Sequence, residues 1–194
     1  MKKFAVFITK IVFSVIFRVE IINREKVPQK GPALLCSNHN NMLDMFLIGY
    51  KIKRWIYWMA KEELFRNPFS GYLFKKLGAF PIKRGTGDVG SIKTALKLLN
   101  EGEVVGIFPH GHRASKRKTM RSKPGAAMLA INAGVQVVPV MVTGNYRLFG
   151  KIRVIFGDPF HIEAEKDKKY TSEELSGISS DIMEKVYSLS GGNK

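Results

Sequence analysis

Cysteine is nearly absent. Cys36 stands alone, which excludes an internal disulfide and any zinc site built from thiolates, and is compatible with a reducing compartment. Acid is scarce too: 16 Asp and Glu face 32 Lys and Arg, a formal charge of +16. An excess of that size favours a polyanionic partner, whether nucleic acid, an anionic membrane surface or a phosphate-rich substrate. Repeats, low-complexity tracts and long linkers are missing as well. The 194 residues therefore suit one domain, enough chain to bury about 70% of its unfolded surface around one core. No apolar run is long enough for a comfortable bilayer span. The strongest, Phe4 to Phe17, would make a helix about 21 Å long against a hydrocarbon core of roughly 30 Å. Lys10 interrupts it, and Arg18 and Glu20 end it. Lys2 and Lys3 give it the basic start of a signal peptide, but no small-x-small cleavage site follows. Phe7, Phe13 and Phe17, with lysines on both sides, point to an interfacial anchor. We expect residues 1–22 to be an N-terminal membrane-anchoring helix and residues 23–194 the working domain.

Beyond that segment, strand-like and helical stretches alternate. Ala33–Ser37, Trp55–Ala60, Phe80–Ile82, Val104–Phe108, Val137–Val142 and Arg153–Phe156 are short apolar runs suited to strands. Between and after them, Met42–Tyr50, Phe69–Leu77, Ser91–Asn100, Gly125–Asn132 and Ser172–Leu189 read as helices, with Ser91 expected at a cap. Such alternation predicts a single-domain α/β sandwich around a mainly parallel sheet, with the site on loops beyond the strands' carboxyl ends.

Ser37-Asn38-His39-Asn40-Asn41-Met42-Leu43-Asp44 occupies one such loop. A carboxylate at Asp44 can fold back onto one imidazole nitrogen of His39 and leave the other free to take a proton. That is the base-and-orienter half of a catalytic triad without a nucleophilic serine, suited to a substrate that brings its own hydroxyl. Taken alone, the pair is also what a surface histidine beside a helix-start aspartate looks like. A second loop, Phe108-Pro109-His110-Gly111-His112-Arg113, leaves another strand, and Gly111 permits a sharp turn. Arg113 could fork onto a phosphate there. Lys116, Arg117, Lys118, Arg121 and Lys123 follow with no acid among them, and Pro124-Gly125 opens a helix whose N-terminus also favours anions. Lys83-Arg84 and Lys61 sit at two further strand exits and are candidate phosphate contacts. Gly85-Thr86-Gly87-Asp88-Val89-Gly90 matches a dinucleotide fingerprint, yet cations precede it and the next strand ends at His110 rather than an acid. An ordinary flexible loop explains it.

Four blocks in order carry a resemblance: Asn38-His39-x4-Asp44, Gly78-x-x-Pro81-Ile82-x-Arg84, Phe108-Pro109-x-Gly111-x-Arg113, and Val138-Pro139-Val140 with Gly144. Together they resemble the glycerolipid acyltransferase family, and within it the small bacterial 1-acylglycerol-3-phosphate acyltransferases. The likeness runs from about Val27 to Pro159. It implies His39 as general base and Asp44 as its orienter, with Arg113, Arg84 and Lys61 on the acceptor's phosphate. It also implies a lysophosphatidate acceptor, an acyl-CoA or acyl carrier protein donor, and work at an anionic membrane surface on the cytoplasmic face, peripheral or monotopic. No cofactor, metal or nucleic acid is expected. One departure stands out: the family's third block usually reads Phe-Pro-Glu-Gly-Thr-Arg, and here His110 and His112 replace the Glu and the Thr. That makes His110, Gly111 and His112 possible acceptor contacts and leaves open another acceptor, glycerol-3-phosphate or a different lysolipid. His39, His110 and His112 lack the further Cys or carboxylate that would complete a metal site.

Overall fold

The computed structural model describes residues 16–49, 51–83, 88–111, 122–165 and 167–191. Strands are β1 (Arg18–Ile22), β2 (Ala33–Ser37), β3 (Ile56–Lys61), β4 (Ala79–Ile82), β5 (Val104–Ile107), β6 (Val137–Gly144) and β7 (Lys151–Phe156). Helices are α1 (Asp44–Gly49), α2 (Pro68–Lys76), α3 (Val89–Asn100), α4 (Gly125–Ala133) and α5 (Ser172–Ser188). The strands form one sheet in the order β1-β7-β6-β2-β5-β3-β4. The block β6-β2-β5-β3-β4 is parallel throughout. β7 turns back antiparallel to β6, and β1 lies parallel to β7. The expected mainly parallel α/β sandwich is what forms, within a single domain.

β2 sits at the centre, and every residue of it is buried. Alternation along it separates two cores. Ala33 and Leu35 face Leu47 and Ile48 of α1 together with Val104, Val140 and Phe156. Leu34 and Cys36 face Leu99 of α3, Ala126 and Leu129 of α4, and Ile182 of α5. A strand covered on both faces must be apolar on both, which is why Ala-Leu-Leu-Cys shows no polar alternation. Burial pushes the Cys36 thiol far above its usual range, so it stays protonated and unreactive.

Two expectations change. Residues 18–22 are not the tail of an N-terminal helix; they form the edge strand β1. Its Val19 and Ile21 pack on the core while Glu20 pairs with Lys151 at 2.9 Å and Arg153 at 3.1 Å on β7. Alternation of period two explains this: apolar 19 and 21 turn inward, and charged 18 and 20 turn out. The cap of α3 is Asp88, not Ser91. Its carboxylate accepts from Ser91 N at 3.1 Å and, with its other oxygen, from Lys83 N at 2.7 Å. An acid thus holds the start of α3, where a nucleotide phosphate would otherwise sit. The expected helix up to Val15 lies outside the described residues. No helix among those described is long and apolar enough to cross a membrane.

Candidate active site

All five parallel strands deliver their carboxyl ends to one edge of the sheet. There β2 releases Asn38 and His39, β5 releases Phe108, β3 ends at Lys61, β4 hands on to Lys83, and β6 ends at Gly144. Asn38 locks the first of these loops. Its amide donates to Val142 O at 2.8 Å and its carbonyl accepts from Val142 N at 2.8 Å, so the side chain continues the ladder between β2 and β6. Asn40 Nδ2 adds a bond to the same carbonyl at 2.9 Å. The next residues turn tightly onto α1, with Leu43 N donating to Asn41 Oδ1 at 3.1 Å.

Asp44 is fully buried, and two backbone amides and a hydroxyl donate to its carboxylate. Asn40 N and Asn41 N reach Oδ2 at 2.6 and 2.8 Å, and the Tyr146 hydroxyl donates to Oδ1. His39 Nδ1 lies 3.0 Å from Oδ2. With two backbone amides and a phenol already donating to this carboxylate, the contact to His39 suits the tautomer that carries its proton on Nδ1 and keeps the lone pair on Nε2. Burial, and then the neighbouring Asp44 charge, pushes the Tyr146 phenol far above its usual range. Tyr146 therefore stays a donor at any working pH.

The imidazole plane is held from the side. His39 stacks on Phe108 with ring centroids 4.1 Å apart, and Phe108 stacks in turn on Trp58 at 5.0 Å. Gly106 makes room for that column, since a β-carbon there would come within 2.6 Å of the Trp58 ring. The His39 side chain keeps 13% of its surface exposed. The result is an imidazole with one nitrogen occupied, one face stacked and part of its surface open. Among the described residues the ring's hydrogen-bond partner is Asp44, and a histidine so held suits proton abstraction from an incoming hydroxyl.

The other expected site residues fare unevenly. Lys61 ends β3 at the same edge, half-exposed and paired with Glu63 at 2.8 Å. That contact holds the Glu63 carboxyl below the usual range, and its exposure makes it an easily exchanged partner. Gly111 adopts the left-handed conformation its turn requires, φ 73°, and the Lys123 side chain crowds the space where a β-carbon would go. Lys123 N also donates to Pro109 O at 2.9 Å, so the basic loop leaves and returns at one point. His110, expected as a possible acceptor contact, makes a contact within the fold. It is buried, and its ring lies against Tyr187 of α5, with Nδ1 3.4 Å from the hydroxyl. The anion-favouring start of α4 is partly used as well: Ala127 N donates to Ser179 Oγ of α5 at 3.1 Å. Arg84, His112, Arg113, Lys116, Arg117, Lys118 and Arg121 lie outside the described residues. Among the described residues no cluster of His, Cys, Asp and Glu is able to hold a metal ion. Sequence reasoning missed Asn38 as a lock, Phe108 as a clamp and Tyr146 as a support.

The family model described as Acyltransferase matches residues 18–143, from the start of β1 to the penultimate residue of β6. The chain belongs to the acyltransferase family. It is an O-acyltransferase by that membership and by its relatives. It is 33% identical to the 1-acyl-sn-glycerol-3-phosphate acyltransferase of Bacillus subtilis, over 97% of this chain and 96% of that protein. It is 31% identical to the protein of the same name from Streptococcus pneumoniae, over 83% of this chain but 62% of that one. The crystal structure of the LPA acyltransferase of Thermotoga maritima superposes with a TM-score of 0.71 across 97% of this chain and 78% of that one. At 20% identity that likeness speaks for the acyltransferase fold.

Proposed function

We propose that this acyltransferase moves a fatty acyl group from a thioester to the sn-2 hydroxyl of 1-acyl-glycerol-3-phosphate, giving phosphatidate for phospholipid biosynthesis. The observation that carries the acceptor is the end-to-end likeness to the Bacillus subtilis protein of that name. In this reading His39 Nε2 takes the sn-2 proton as the oxygen attacks the thioester carbonyl. The tetrahedral intermediate collapses, the C–S bond breaks, and the proton passes from Nε2–H to the departing thiolate. Asp44 holds Nδ1–H throughout and stabilises the transient imidazolium. No acyl-enzyme forms, so donor and acceptor are bound together. General-base help of this kind is worth about 10²–10⁴-fold. Lys61, Arg84 and Arg113 would hold the acceptor's phosphate, with Lys61 exchanging Glu63 for it. The donor would be acyl-CoA or acyl carrier protein, and the N-terminal segment would keep the enzyme on the cytoplasmic face of the membrane.

The test offers lysophosphatidate and glycerol-3-phosphate, each with acyl-CoA and with acyl carrier protein thioester, in mixed micelles read by mass spectrometry. Phosphatidate from lysophosphatidate is expected. Acylation of glycerol-3-phosphate instead would overturn the acceptor assignment.

A further inference from the structure

The exposed large hydrophobics of the described residues are not scattered. Met42 lies on the loop after β2, and Val89 opens α3 after β4. Phe69 (79% exposed), Tyr72 and Leu73 fall in the first six residues of α2, which follows β3. At spacings of three and four they share one helix face. Leu148 (67%) and Phe149 (60%) sit between β6 and β7. Every one of them follows the carboxyl end of a parallel strand, at the edge where His39 opens. Phe149 moreover stands at φ 58°, a backbone state that a bulky residue rarely adopts, with its ring turned to solvent.

Charge accompanies them. Arg66, Lys83, Lys123 and Arg147 lie on the same set of connections, and the ten residues 112–121 carry five cations and no acid. The acids there are locally engaged: Glu63 with Lys61, Glu62 with Lys83 at 3.8 Å, and Asp88 in the cap of α3. The N-terminal apolar segment joins the fold at this edge too. Phe149 N donates to Ile16 O at 2.7 Å, and Arg18 N to Gly150 O at 3.0 Å, so the chain enters beside Leu148 and Phe149.

We infer that the carboxyl edge of the sheet is itself a membrane-docking face: Phe69/Tyr72/Leu73 and Leu148/Phe149 enter an anionic lipid surface as two separate anchors, with His39 between their connections in the fold. Apolar rings interleaved with cations suit the interface of an anionic bilayer better than an acidic protein, which would engage the cations and leave the rings wet. The inference takes its purpose from the lipid-acceptor reading above, but its anchors rest on the surface alone.

Since Cys36 is buried, single cysteines introduced elsewhere can carry a label. An environment-sensitive fluorophore on Tyr72→Cys and on Phe149→Cys, with Glu101→Cys at the opposite edge as reference, is titrated with phosphatidylglycerol vesicles lacking any substrate. Emission should shift to the blue at positions 72 and 149 and not at 101, and neutral phosphatidylcholine vesicles should give less. In the unlabelled full chain, Phe69→Ser and Leu148→Ser should each weaken vesicle partition on the order of tenfold. Sedimentation with vesicles while both face labels stay unmoved would overturn the proposal in favour of the N-terminal segment acting alone. Labels already blue without vesicles would mean that the chain's own apolar segment covers the face, and a shift on adding acyl carrier protein in place of vesicles would assign it to a protein. Docking without phosphatidate synthesis would leave this inference standing and defeat the acceptor reading.

Discussion

The two ends of the sheet use the same kinds of residue for opposite purposes. At the amino ends of the parallel strands the connections 77–78, 101–103 and 134–136 are short turns. Arg54 is turned inward there and donates to the carbonyls of Pro28 at 3.3 Å, Gly31, and Gly102 at 2.6 Å. That arginine ties its own loop to two others and has little capacity left for a ligand. At the carboxyl ends the connections 38–43, 83–88 and 108–124 are longer, the described lysines Lys83 and Lys123 are exposed, and Met42, Phe69, Val89 and Leu148, on or just after the carboxyl-end connections, face water. Exposed lysines occur at both ends, Lys30 and Lys53 at the first and Lys83 and Lys123 at the second, so charge alone does not separate them. What separates the ends is apolar: among the described residues the large exposed hydrophobic side chains all follow the carboxyl ends of the parallel strands.

Asp44→Asn should break the contrast most severely. An amide in place of the buried carboxylate presents an N–H₂ where donors already converge and no longer stabilises an imidazolium. We expect acyl transfer to fall by about 10²-fold or more, with stability lower by roughly 1–3 kcal/mol in a denaturant titration. Arg54→Ala sharpens the contrast from the other end: about 1–3 kcal/mol of stability should be lost from its charged hydrogen bonds while kcat/KM holds. A turnover defect in the folded variant would erase the distinction between the two edges. Tyr146→Phe should be milder, removing one hydroxyl from Asp44 while the two backbone amides remain. Turnover should drop about three- to tenfold with little change in KM, the size of one hydrogen bond to a charged group partly compensated by its neighbours.

Much of this was legible in the chain. Runs such as Val104–Ile107 and Val137–Gly144 are short, β-branched and apolar, so their strands were evident, and the helices between them implied parallel order. Arg18–Ile22 was not evident, because its charged residues border a longer apolar stretch and read as that stretch's end. The reversal of β7 was hidden too, since nothing in Arg153–Phe156 states which way it runs. His39 and Asp44 were found because they lie five residues apart, close enough for local geometry to bring them together. Their supports come from far along the chain. Tyr146 reaches Asp44 across 102 positions, and Asn38 reaches Val142 across 104, contacts that only the folded sheet creates. His110 is a possible acceptor contact by its motif position, and the partner that the fold gives its ring, Tyr187, lies 77 residues on.

His39 as the base at the carboxyl edge is the proposal on which the mechanism turns. It is tested most directly by measuring phosphatidate formation from lysophosphatidate by His39→Ala beside the unchanged chain, with thermal melting of both. A rate lower by about 10²-fold or more with melting preserved is expected. A wild-type rate in the folded variant would contradict it and move the search for the base to another residue of that edge.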